Sequence, residues 1–199
     1  MSGRTSEAGA TLVELLVATT LGLVVVLAGV QLLKTHAALA LQVQADLAAS
    51  SGAVWALRSA ARDVRRAGAD PRGRGFEAFE DAASAAMKVG ADTDGDGFLD
   101  PNSEETVGLA WSGRGGGRVV RRVGRQSMGI VSGVPEGGFR LRYYDGDGRE
   151  LEAAAGLGVE ERRRVRRVAL EIEVHERRGA LTGVASLASS ASVRVREGR

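Results

Sequence analysis

An α+β chain, with one long N-terminal helix followed by an antiparallel β-sheet domain, is what the sequence predicts. Three observations carry this. Residues 11–33 hold no charge except Glu14. Apolar residues then continue at helical spacing to residue 66, and from residue 105 onward short apolar alternations are separated by glycine- and aspartate-rich turns.

The first element follows from length and charge. Residues 15–33 in a helix rise about 28 Å, close to the thickness of a hydrocarbon core. Glu14 is the exception in this run, and an ionisable group at that depth is costly enough to mark a functional site by default. Past the apolar run, Leu39, Val43, Leu47, Val54, Leu57, Ala61 and Val64 recur at steps of three, four or seven, which predicts one stripe along a continuing helix. Gly68 and Pro71 supply the stop. The predicted organisation is a helix over residues 10–66, transmembrane to residue 33 and amphipathic over 34–66, with a globular β-rich domain over 67–199.

Within that domain a short helix is expected over residues 76–87. The acidic segment Ala-Asp-Thr-Asp-Gly-Asp-Gly-Phe-Leu-Asp follows. Asp92, Asp94, Asp96 and Asp100 occupy positions one, three, five and nine of an EF-hand-like loop. Gly97 takes the sharp-turn position, and Phe98 offers its backbone carbonyl. Hard oxygens on one tight turn suit calcium. Position twelve, usually a bidentate glutamate, is Ser103, with Glu104 and Glu105 one and two residues late. A looser calcium loop, a low-affinity site and a plain acidic turn are the three readings open.

Strands are predicted over residues 106–111 and 118–123, joined by a glycine-rich turn. Others are expected over 129–134, 139–144 and 149–152, with turns at 135–138 and 145–148. Asp145 and Asp147 on the last turn read as turn residues and not as a second metal site. Val168, Leu170, Ile172 and Val174 alternate with polar neighbours as a half-buried strand. A closing strand is expected over residues 190–196, with Ala191, Val193 and Val195 on one face.

The N-terminus resembles that of type IV pilins and type II secretion pseudopilins. The residues that carry the likeness are Gly9, the Ala10-Thr11-Leu12-Val13-Glu14-Leu15-Leu16 that follows it, and the apolar run beyond. By position, Gly9 is the last residue of a leader over residues 1–9, Ala10 the new N-terminus and Glu14 the family's glutamate. Ala10 departs from the usual phenylalanine. Arg62-Asp63-Val64-Arg65 with Ala67-Gly68 is similar to a segment of PilW-type minor pilins and the related pseudopilin J. The same residues also read as a solvated helix face with charge pairs near a C-terminus.

The resemblance implies cleavage after Gly9 by a prepilin peptidase and methylation of the Ala10 amine. It implies lateral assembly with other minor and major pilins or pseudopilins, in which Glu14 partners the amine of a neighbour. It also implies a single pass through the inner membrane, a periplasmic domain and a final place at a pilus or pseudopilus tip. Three other readings compete: an ordinary anchor, a secretory signal cut after Ala40, and a membrane-anchored periplasmic calcium-binding module that never enters a filament.

Composition narrows the function classes. The formal charge is +2 over 199 residues, and cysteine is absent, so the domain holds together without disulfides. Arg162, Arg163, Arg164, Arg166 and Arg167 form a basic run, but Glu160, Glu161, Glu171 and Glu173 lie close by and aromatic interleaving is missing, so DNA is not the expected partner. The histidines, His36 and His175, have no catalytic partner at a recognisable spacing. No enzymatic activity is expected.

Overall fold

The computed structural model describes residues 11–178 and 181–193. Gly9, Ala10, the leader and Val195 lie outside the described residues. Contacts divide the chain into two units, Met1–Leu41 and Gln42–Arg199, and helix α1, Leu12–Arg66, contributes to both. The division falls after residue 41, not at the end of the apolar run.

In the first unit α1 is long and apolar enough to cross a membrane, and its large apolar side chains from Leu12 to Leu33 are exposed. The hydroxyls in this stretch are satisfied within the helix: Thr19 and Thr20 donate to the carbonyl of Leu16, and Thr35 to that of Gln31. Such back-bonding is how hydroxyls are accommodated where water is absent.

The second unit contains the rest of α1 and two antiparallel sheets. One is a meander of β1 (Phe79–Ala83), β2 (Ala86–Gly90), β3 (Thr106–Ser112), β4 (Arg118–Val123) and β5 (Gln126–Ser132), paired in chain order. The other contains β6 (Phe139–Tyr144), β7 (Glu150–Leu151), β8 (Arg167–Arg178) and β9 (Leu181–Ser192), in the order β7-β6-β8-β9. A short helix α2, Val159–Arg164, joins β7 to β8.

Three expectations are corrected. Residues 76–87 form no helix; they contribute to the β1–β2 hairpin. Alanine-rich propensity gives way here because the hairpin's backbone is already spoken for. Ser84 donates to Ala153, and the carbonyls of Ser84 and Ala85 accept from Leu141 and Trp111 at 2.8 and 3.0 Å. The Tyr143 hydroxyl lies 3.0 Å from the Ala83 carbonyl, and its ring meets Phe79 edge-on at 5.9 Å. The strand expected from residue 129 begins at Gln126 and ends at Ser132, and the closing strand begins at Leu181 instead of residue 190. β9 lacks large apolar residues beyond Leu181, Val184 and Leu187, so its alternation of alanine and serine carries little signal.

The buried stripe of α1 also differs from the predicted one. Ala45, Ala49, Ala53, Ala56, Leu57, Ala60, Ala61 and Val64 are buried, whereas Leu39, Val43 and Leu47 are exposed. The cause is close approach. A Cβ on Gly183 of β9 would lie 2.4 Å from the backbone of Ala45, and one on Gly52 would meet Val131 of β5 at 3.2 Å. Backbones that near leave room only for alanine and glycine at the contact.

Candidate functional site

Two places on the chain carry the chemistry singled out by the sequence. The first is the start of α1. Glu14 Oε2 accepts from the Thr11 N–H at 2.8 Å and from its hydroxyl at 3.2 Å, while the Glu14 N–H donates back to the Thr11 hydroxyl at 3.3 Å. This is a reciprocal capping box, with Thr11 as the cap and Glu14 three residues on. Thr-x-x-Glu ahead of an apolar run is the sequence signature of this cap. The box gives Glu14 a local role, that of closing the helix end, but its Thr11 donors are neutral and supply no balancing charge.

The second place is the acidic loop between β2 and β3. One carboxylate oxygen from each of Asp92, Asp94 and Asp96 lies within 4.8 Å of the others. Asp92 is buried, and its two oxygens accept from the N–H groups of Gly95 (2.6 Å) and Gly97 (3.1 Å). Asp94 and Asp96 each accept from the backbone two residues on, at 2.9 and 2.7 Å, the latter from Phe98. Asp100 stands outside the group, and its Oδ1 accepts from Asn102 at 2.8 Å. Three of the four predicted aspartates therefore converge, and Phe98 contributes its N–H as a brace.

Glu105 does not close the loop as a twelfth-position ligand. Its Oε1 accepts from Thr93 at 2.8 Å and its Oε2 from Asp100 at 2.9 Å, so both oxygens are turned onto the loop's own amides. Those hydrogen bonds, led by that of Asp100, hold its carboxyl below the usual range against the opposing effect of burial. Arg72 and Arg74 stand over the same turn: a Cβ on Gly97 would meet the side chains of both at 3.2 Å, and the Arg74 guanidinium lies 5.6 Å from the Phe98 ring centroid. Three hard oxygens suit a calcium ion, but the bidentate ligand is lacking and two cations sit alongside. The donor set fits calcium only as a low-affinity site.

The remaining predicted residues serve the fold. Asp145 is buried; it accepts from Asp147 and Arg149 at 3.0 and 2.9 Å and from Arg164 at 3.0 Å, so it is a turn brace, as its composition suggested. The backbone N–H of Arg149 is the main cause of its lowered carboxyl pKa. The basic run is occupied internally. Arg163 pairs with Glu77 and Glu160, Arg164 with Asp145, Arg162 and Arg166 donate to carbonyls, and Arg167 lies 4.3 Å from the Tyr144 ring centroid. His175 does have a neighbour, Glu173 Oε1 at 2.6 Å, but the pair is exposed on the outer face of β8.

Asp63 is the residue sequence reasoning placed least well. It is buried, not solvated, and its two oxygens accept from Nε and Nη2 of Arg121 on β4 at 2.8 and 2.9 Å. The pair is bidentate and ties the C-terminal end of α1 to β4 of the first sheet. Comparisons with family models, with curated proteins and with solved structures return no match. The functional reading therefore stands on the residues themselves.

Proposed function

We propose that this protein is a structural subunit of the pilin type, a minor pilin or minor pseudopilin inserted through α1 into a type IV pilus or type II secretion pseudopilus. The observation that carries the reading is one carboxylate, Glu14, on an exposed apolar helix of membrane-spanning length. The β-domain after it and the Gly9-Ala10 junction before it support the same reading.

In this mechanism a prepilin peptidase cuts after Gly9 and methylates Ala10, leaving a cation at the head of the helix. Thr11 supplies hydrogen bonds to Glu14 but no charge, so a carboxylate in hydrocarbon still gains from an amine on a neighbouring subunit. Assembly with other pilins provides that amine. The domain is placed in the periplasm, and no catalytic role is assigned to it. A weak calcium site at Asp92, Asp94 and Asp96 braces the β2–β3 loop.

The test uses two variants expressed with the assembly machinery. Gly9→Ala is expected to leave an uncleaved precursor, and Glu14→Ala a processed subunit absent from the sheared filament fraction. Normal incorporation of both variants would defeat the proposal.

A further inference from the structure

Strand β4 sends alternate side chains to opposite faces of the first sheet. Val119 and Arg121 face α1: the first is fully buried, and the second reaches Asp63. Arg118, Val120 and Arg122 therefore stand on the other face, turned away from the helix. That face holds an open hollow of about 590 Å³ lined by all three, a volume within the ~300–1,000 Å³ of ligand sites. Its floor is a row of small apolar residues, Ala86, Ala110 and Val120, which are neighbours in register on β2, β3 and β4.

The charges around this floor are not balanced. Arg118 lies at one end of it and Arg122 at the other, about 13 Å apart along the strand. Arg114 joins them from the turn before Arg118, and all three side chains are exposed. Among the described residues none of these three guanidinium groups has a hydrogen bond or an ion pair, whereas Arg121, Arg142, Arg163 and Arg164 each pair with a carboxylate. Lys88 also lines the hollow but is paired with Glu80, and Asp81 is the one carboxylate among the lining residues described.

We propose that this face binds an acidic segment of another protein, extended along β4, with a carboxylate at each end of the floor. Clustered arginines are a recurrent means of holding acidic motifs, because the planar guanidinium takes a carboxylate bidentately. In an extended chain, side chains four residues apart stand about 13 Å apart on one side, and the residue midway faces the same way. A Glu-x-Val-x-Glu pattern thus brings its carboxylates to Arg118 and Arg122 and its apolar residue onto Ala110 and Val120. Nucleic acid has the charge but not the fit, since its bases need an exposed aromatic platform. The one aromatic residue among those lining the hollow, Trp111, is turned elsewhere: its Nε1 donates to the Val134 carbonyl at 2.9 Å, and its ring lies 3.2 Å from where a Cβ on Gly113 would stand. Because the hollow is on the face opposite α1, an occupant leaves the helix clear.

The test is a fluorescence-anisotropy titration of the full-length chain, in detergent micelles, against the labelled, end-blocked peptide Glu-Thr-Val-Thr-Glu. Saturable binding is expected. The isomer Glu-Glu-Thr-Val-Thr has the same composition and charge but the wrong spacing, and should bind at least about fivefold more weakly because one carboxylate loses its arginine. Arg118→Gln combined with Arg122→Gln should weaken the first peptide at least about tenfold. Arg58→Gln combined with Arg65→Gln removes the same charge from exposed positions of α1 and should leave binding unchanged. Ala110→Phe, which fills the floor without changing charge, should weaken binding at least about fivefold; should it fail to fold, the isomer and the two arginine pairs still decide. No saturable binding at millimolar peptide, equal affinity for the two isomers, equal losses from the two arginine pairs, or a thymidine pentanucleotide held as tightly as the peptide would each overturn the proposal.

Discussion

At the scale of single residues, Asp63 and Glu105 show how a carboxylate's role depends on what it faces. Asp63 is paired bidentately with Arg121, and removing it strands a guanidinium whose side chain is 21% exposed. Breaking a fully buried pair costs about 3–5 kcal/mol, and partial access to water lowers that, so Asp63→Ala is expected to lose about 2–3 kcal/mol. A thermal melt of the β-domain signal should drop by roughly 5–10 °C. An unchanged melt would show that the pair does not hold α1 to the sheet. For Glu105 the folded pKa lies below the ordinary 4.5, so its contribution is complete above that pH and is lost as pH falls through the folded value. Glu105→Gln should therefore melt lower than the parent at pH 7, with the difference shrinking below about pH 4.5. A difference that does not depend on pH would contradict the assignment.

At the scale of elements, legibility followed side-chain size. The β3–β4 hairpin, β6 and β8 were readable because valine, leucine and aromatic residues alternate there, and the α1 stop was readable from Gly68, which has φ +73° and donates to Gly90. β9 and the buried face of α1 were not, because both are built from alanine, glycine and serine, whose burial is set by how closely two backbones approach. The β1–β2 hairpin is not legible locally because its decisive partners, Ala153, Leu141 and Tyr143, lie more than fifty residues away. The acidic loop was legible in composition but not in the orientation of Glu105. Its predicted calcium affinity is correspondingly weak. Calorimetric titration of the chain should give a dissociation constant of about 10⁻⁴–10⁻³ M, the range of low-affinity modules. Asp94→Ala should abolish the heat. Absence of heat at millimolar calcium in the parent would remove the site.

At the scale of the whole molecule, the chain joins an apolar helix that presents a single acid to a β-domain closed by its own arginine–carboxylate pairs. Arg121 and Arg164 of the domain are paired with carboxylates of the same chain, while the proposed reading gives Glu14 an amine on another molecule as its partner. That reading depends on the chemical state of the N-terminus, because the cation proposed to meet Glu14 exists at that position only after cleavage. Intact-mass and N-terminal peptide spectrometry of the protein isolated from its native membrane and filament fractions measures this directly. The account predicts a chain that starts at Ala10 and carries one methyl group on its amine; a chain recovered from the assembled fraction with residues 1–9 still attached would contradict it.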